Sequence, residues 1–434
     1  MDSISPSIND SLVGIHPLML FQISDRGIHQ GEPDAQYMAL HRITALPGDG
    51  TGREVMAEAM KLLRTIESNS PMEFQITEIQ CGGQHYLETG EEWPEGSFEF
   101  CRDESDAILL GAIGWPGAMM PNGDLAGGQV ILGLRSGLDL YANVLPIKLY
   151  EGIQHKIHGG FKHVWSPVLV DMVVVRENTE GLYQTLLSRS SYAAQGIPYP
   201  SMPEIDIPGM DGEFAWDPRP ISRLGSERVI RFAFDIAERR SGNPSDGTSR
   251  VSCIDKSNVT RGCQLFRSIY QEIAENHPNI ETDMAYIDAF TMWLVRQPEF
   301  YDVVVTSNMF GDIATDLAST LQGGMGMAAS ANIGDNHMMF EPVHGSSPKY
   351  SGKGVVNPIA MLSSVQMMLD WLGRRSDDAD ATLAAEMVES AIENQVREGK
   401  ALTYDLGGNA STSEVSDAIC MHVGSMLKTH YASV

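Results

Sequence analysis

The stretch Tyr301–Leu317, YDVVVTSNMFGDIATDL, restricts the fold more than any other part of the chain. Val303, Val304 and Val305 form a continuous β-branched run, the pattern of a strand buried on both faces. The chain then turns through Thr306-Ser307-Asn308 and continues with helical spacing past Asp312 and Asp316. A strand covered on both sides and leading directly into a helix belongs to an α/β architecture. The same grammar recurs. Strands are expected at Ile43–Leu46, Phe74–Gln80, Ala107–Ile113, Met172–Val175 and Val251–Ile254, and helices over 53–68, 227–239, 262–275, 358–373 and 379–399. Between about 186 and 226 the sequence turns to Pro, Gly, Ser and Asp without periodicity and reads as a long excursion, an arm or a surface loop.

Composition narrows the function classes. With 434 residues the chain is too long for one small core, so two domains or a large bilobal one are expected. A formal net charge of -27 opposes nucleic acid and anionic membrane surfaces. It permits an anionic small molecule where arginines or a metal reverse the local field. No apolar run is long enough to span a bilayer. The five cysteines are scattered and contain no CxxC pair, which reads as reduced thiols in a cytoplasmic protein. The segment 1–42 has neither a secretory nor a mitochondrial signal pattern and reads as an N-terminal extension.

Polar residues collect where the expected strands end, the place where open α/β sheets bind ligands. Arg176 and Tyr183 follow one strand, Lys256 and Asn258 another, and Asp312 and Asp316 a third. Asp312 and Asp316 are four residues apart, so they lie one turn apart on one helical face. Such a pair is either a solvated acidic face or a hard-cation site. Asp288 stands alone among apolar neighbours, and a buried carboxylate there would need a partner. Three carboxylates without nearby Cys or His suit Mg²⁺ or Mn²⁺. Lys256 can be a surface lysine or a general base, and Tyr183 a packed ring or a proton donor. Arg135 and Arg176 suit either structural ion pairs or a carboxylate substrate. Pro47–Gly52 carries glycines at 48, 50 and 52, but the spacing is GxGxG and Asp49 would oppose a pyrophosphate, so it is not a Rossmann loop.

Taken together, LPGDGTGREVM, LRSGLDLYANVLP, DMVVVRENTEGLY, DKSNV, TSNMFGDIATDLAS, EPVHGSSPKYSGKGVVNP and YDLGGNAST resemble, in that order, the isocitrate/isopropylmalate dehydrogenase family of metal-dependent β-decarboxylating dehydrogenases. The resemblance runs from about Ile43 to Ile419. It implies a bilobal, non-Rossmann α/β fold with an outer cofactor domain (43–140 and 323–434). The inner domain (141–322) would carry dimerisation, metal and substrate functions, with the 186–226 arm at the dimer interface. It also implies a homodimer whose active sites are shared, Lys256 and Asp288 coming from one subunit and Asp312 and Asp316 from the other. Metal ligands would be Asp288, Asp312 and Asp316, and substrate contacts Arg135, Arg176 and Asn258. The hydroxyl proton would go to Lys256, and Tyr183 would protonate the enol carbon left by decarboxylation.

Glu341, His344, Gly345, Ser346, Lys349, Tyr350 and Asn357 match the family's cofactor segment. Family members that use NAD carry an Asp where this chain has Lys349-Tyr350, and a cation beside a phenol favours NADP over NAD. One position departs from the family pattern. Where an N-x-R-P segment is expected, this chain reads Asn143-Val144-Leu145-Pro146, so one substrate-binding arginine is replaced by Leu145. The segment Gly128–Leu132 lacks the pattern of isocitrate enzymes. The expected substrate is therefore a 3-substituted malate-type hydroxy acid related to isopropylmalate, tartrate or malate. Two alternatives stay open, a non-catalytic regulatory subunit and a dehydrogenase of this fold that does not decarboxylate.

Overall fold

A computed structural model describes residues 40–183 and 217–433. Nearly all of the N-terminal extension, and the expected arm up to 216, lie outside the described residues. The first strand, β1 (Leu40–Leu46), leads through the Pro47–Gly52 loop into α1 (Thr51–Glu67), and β2 (Glu73–Glu78) pairs with β1 in parallel. Val55, Met56, Ala59, Leu62, Leu63 and Ile66 recur at helical spacing and are all buried. Two short helices that periodicity did not reveal, α2 (Gly83–Thr89) and α3 (Ser97–Asp103), precede β3 (Ala107–Leu110). Asp49 ties this region together. Its buried carboxylate accepts backbone N–H bonds from Gly83 and Gly114 at 2.8 Å and from Gln84 at 2.7 Å. The charge that disqualified the loop as a pyrophosphate cradle thus anchors the start of α2.

Helix α4 (Gly128–Gly137) begins within the glycine-rich stretch that follows β3 and carries Arg135. The chain continues through β4 (Ala142–Lys148), the small hairpin β5 (His155–Ile157) and β6 (Gly160–Lys162), and β7 (Asp171–Glu177). Helix α5 (Arg223–Arg239) starts ahead of the expected residue 227, because Ser222 caps it by accepting the Gly225 N–H at 2.9 Å. Next come β8 (Arg250–Asp255), α6 (Arg261–Ala274), β9 (Glu281–Tyr286) and α7 (Ile287–Arg296). The opening stretch becomes β10 (Val303–Thr306) and α8 (Asn308–Ser319). After it, β11 (Ala329–Ile333), β12 (Met338–Pro342), α9 (Ile359–Ser376) and α10 (Ala379–Glu398) complete the expected pattern. A further helix, α11 (Thr412–Tyr431), opens with a capping box between Ser411 and Glu414.

Among the described residues, ten strands form one sheet in the order β2-β1-β3-β12-β11-β4-β7-β10-β8-β9. Strands before residue 111 and after 328 occupy one half, and those between 142 and 306 the other. Pairing is parallel in both outer parts and antiparallel where β12, β11, β4 and β7 meet. Cross-strand register fixes the polar row of the site. Asn332 on β11 lies opposite Asn143 on β4, which lies opposite Arg176 on β7, which lies opposite Thr306 on β10.

Candidate active site

A cleft of about 200 Å³ opens over this row, lined by Arg135, Asn143, Leu145, Arg176, Asp312, Thr315, Asp316, Glu341 and His344 among others. Arg176 is buried. Its Nε and Nη2 donate to Asn308 Oδ1 at 3.1 and 2.8 Å, and its Nη1 donates to Asp312 Oδ1. Tyr183 donates its hydroxyl to Asp312 Oδ2 at 2.6 Å. Burial and the bond to Asp312 push the phenol up to about 12, so it keeps its proton. Burial, with the neighbouring Asp312 charge second, raises the Asp316 carboxyl above its ordinary value. Arg135 donates to Glu341 Oε1 at 2.8 Å, and the same oxygen accepts from Asn332 Nδ2 at 2.7 Å. Glu341, expected on the cofactor, is therefore held against an arginine by the polar row beneath.

Leu145 forms an apolar wall of the cleft and is 2% exposed. Side chains alternate along a strand, so Asn143 and Leu145 share the cleft face while Lys148 takes the other. Lys148 is bound to Glu389 at 2.5 Å and does not replace the missing arginine.

Lys256 and Asp288 pair with each other instead of joining this cleft. The expectation of a buried Asp288 is corrected here: its side chain is 65% exposed. Asp288 lies in the first turn of α7, where an acid is favoured by the helix dipole and projects outward. The Lys256 ammonium, foremost among the causes, holds its carboxyl below the ordinary range. Asn258 is exposed in the β8–α6 loop. Among the described residues, no three His, Cys, Asp or Glu side chains converge to hold a metal within one chain. A larger cleft of about 520 Å³ lies beside Asp288, lined by Met284, Tyr286, Ala289, Trp293 and Tyr301 among others. It contains none of the clustered site residues described above.

The family model for isocitrate/isopropylmalate dehydrogenase matches residues 42–419. The chain belongs to this family. It is similar to the 3-isopropylmalate dehydrogenase of Archaeoglobus fulgidus, at 37% identity over 88% of this chain and 98% of the relative. The homoisocitrate dehydrogenase of Methanocaldococcus jannaschii is also 37% identical, over 89% of this chain and 99% of the relative. Among solved structures, an isocitrate dehydrogenase from Methylococcus capsulatus superposes with a TM-score of 0.71 at 33% identity, covering 88% of this chain and 99% of the other. A β-decarboxylating dehydrogenase from Thermococcus kodakarensis gives 0.65 at 33% identity, covering 89% and 97%. As a member of this family the chain is an oxidoreductase, a β-decarboxylating hydroxy-acid dehydrogenase. Among the described residues no helix is long and apolar enough to cross a membrane.

The segment expected to meet the cofactor follows β12. His344 Nδ1 lies 3.1 Å from the Gly345 carbonyl, whereas its buried Nε2 has no hydrogen-bond partner among the described residues, and burial lowers the imidazole pKa. Ser346 is fixed by its backbone. Its carbonyl accepts from Thr51 N and Oγ1 at 2.9 and 3.0 Å, and its hydroxyl donates to the Gly114 carbonyl. Asn357 donates to Asp405 Oδ2 at 3.1 Å. Tyr350 stacks on Tyr404 at 5.6 Å, with Lys349 and Lys353 over its ring at 5.4 and 5.7 Å. Sequence reasoning missed Lys353, Tyr404 and Asp405. Tyr404 and Asp405 stood in YDLGGNAST, a motif recognised as a block but not resolved into contacts.

Proposed function

We propose that this dehydrogenase oxidises a 3-substituted malate with NADP and Mg²⁺ or Mn²⁺, and that two copies of the chain share each active site. The observation that carries the reading is the convergence of Arg135, Arg176, Asp312 and Asp316 on one cleft, with the Tyr183 proton held at Asp312. Carboxylates there outnumber guanidiniums by one, since Glu341 is also present. A dianionic acid would be repelled from such a cleft unless a cation entered with it. Asp312 and Asp316 would hold that cation, because the Asp312 charge raises the cost of ionising Asp316 and a divalent ion would offset it.

The third carboxylate would be Asp288 of a second copy. Met284, Met292, Trp293 and Val295 are exposed on β9 and α7 close to Asp288, and β9 is the sheet edge. An apolar face at an open sheet edge favours coverage by another chain. That arrangement would bring Lys256 with it and matches the division into an outer cofactor half and an inner half.

A bound divalent cation would supply Lewis-acid polarisation of the substrate's hydroxyl, and of the carbonyl it becomes. The oxidised nicotinamide would accept the hydride. Arg135 and Arg176 would hold carboxylate. Lys256 would take the hydroxyl proton, and Tyr183, protonated throughout the working range, would give one proton to the carbon that loses CO₂. Hydroxy acid and NADP⁺ then yield keto acid, CO₂ and NADPH, with one proton taken and one returned. Leu145 offers no donor, so the substrate group facing β4 would be uncharged. Lys349, Lys353 and the Tyr350–Tyr404 pair support NADP, because a 2′-phosphate would meet two ammonium groups and phenols.

The deciding assay incubates the purified chain and Mn²⁺ with isopropylmalate, malate, tartrate and isocitrate, measuring CO₂ against reduced cofactor for NADP and NAD. Equal amounts of CO₂ and NADPH support the proposal. Reduced cofactor without CO₂ favours the non-decarboxylating alternative, no turnover with any acid the regulatory one, and preference for NAD sinks the cofactor assignment.

A further inference from the structure

Arg176 is held by one face of α8. Asn308, Gly311 and Asp312 stand at helical spacings of three and four, so all three meet the same neighbour. Asn308 takes one edge of the guanidinium, the side-on edge made by Nε and Nη2. Gly311 leaves room for the stem. A Cβ there would sit 2.5 Å from Arg176 Cγ, 2.7 Å from its Cβ and 3.0 Å from its Cδ. Asp312, which lines the cleft with Arg176, accepts from Nη1. Asn308 is itself fixed, since its Nδ2 donates to the Glu180 carbonyl at 2.8 Å and its side chain is buried.

We propose that Asn308 is a positioning residue for carboxylate recognition. By holding Nε and Nη2 from behind, it fixes the plane of the guanidinium while Asp312 holds Nη1. The charge and the remaining Nη hydrogens are then presented to a carboxylate in the cleft at a preset angle. Without the Asn308 acceptor the guanidinium keeps only its Asp312 bond, and that angle is less tightly set. The inference rests on the proposed reading of the cleft as a hydroxy-acid site. It goes beyond that reading by assigning a role to a residue that touches neither substrate nor cation.

Two substitutions separate positioning from mere packing. Asn308→Leu keeps the branched shape and removes the acceptor, whereas Asn308→Gln keeps an amide that can accept from Arg176 and donate to the Glu180 carbonyl. Malonate binding is followed by calorimetry in Mn²⁺ buffer for wild type and both variants, with steady-state KM for hydroxy acid and for NADP alongside. Asn308→Leu is expected to weaken malonate binding and raise hydroxy-acid KM at least about tenfold, the loss of a well-aligned charge-assisted bond. The KM for NADP should stay within about twofold, and Asn308→Gln should recover part of the malonate affinity. Unchanged malonate affinity in Asn308→Leu, or affinity in Asn308→Gln no better than in Asn308→Leu, overturns the proposal while leaving the dehydrogenase reading intact. Wild-type chain that binds no malonate overturns both.

Discussion

Replacing Leu145 with arginine tests the chemistry of the cleft most directly. Leu145 is buried on the cleft face of β4, two residues from Asn143, whose partner across the sheet is Arg176. A guanidinium at this position would extend into the same cleft and cancel its excess of one carboxylate. Contact with a substrate carboxylate is worth about 1.5–3 kcal/mol as a charge-assisted hydrogen bond. That corresponds to a KM lower by about 10- to 150-fold for an acid carrying a carboxylate on the β4 side. The substitution also has a cost. A buried leucine contributes about 2–5 kcal/mol, and the free enzyme must accommodate an arginine in a cleft where Glu341 and Asp312 are already bound to Arg135 and Arg176. Leu145→Arg should therefore unfold at lower urea concentration while turning over malate, tartrate, isocitrate or isopropylmalate at higher kcat/KM. Steady-state kinetics on all four acids, with circular dichroism to confirm folding, decide the matter. A folded variant with no gain on any of them refutes the assignment of Leu145 to a substrate-facing wall.

Three other outcomes follow from the same geometry. Lys349→Asp should lower kcat/KM for NADP by about tenfold or more and leave NAD little affected, because a like charge would face the 2′-phosphate; equal effects on both cofactors would argue against that contact. Since Tyr183 is pushed up to about 12, difference absorbance between wild type and Tyr183→Phe should show no phenol ionisation below about pH 10. The sign matters for stability: unfolded tyrosine ionises first, so this group costs stability only as pH rises above its unfolded value, and a step near pH 7 would contradict the Asp312 bond. Asp302 is fully buried, accepting from Arg240 Nε at 2.7 Å and Arg250 N at 3.1 Å. Asp302→Ala leaves Arg240 with only Asp171 and should cost about 3–5 kcal/mol in urea denaturation, a loss under about 1 kcal/mol being incompatible with this pairing.

Local sequence was enough to place the strands that lead to Arg176, Lys256 and Asn308, because continuous β-branched runs have few other ways to be buried. It also placed Asp312 and Asp316 on one helical face, a consequence of helix geometry alone. The motifs in their order pointed to the family that the comparisons found over residues 42–419. Other features depended on parts of the chain that no local pattern connects. Asp49 became an anchor because Gly83 and Gly114 come to it across 34 and 65 residues. Glu341 was drawn to Arg135, and Asn308 to the side of Arg176, by strand order and register. Asp288 proved exposed although its neighbours in sequence are apolar, since hydrophobicity along a helix does not reveal which face a sheet leaves open. Spacing within an element was legible because it is set by backbone geometry; the partner of each charge was not, because tertiary packing chooses it.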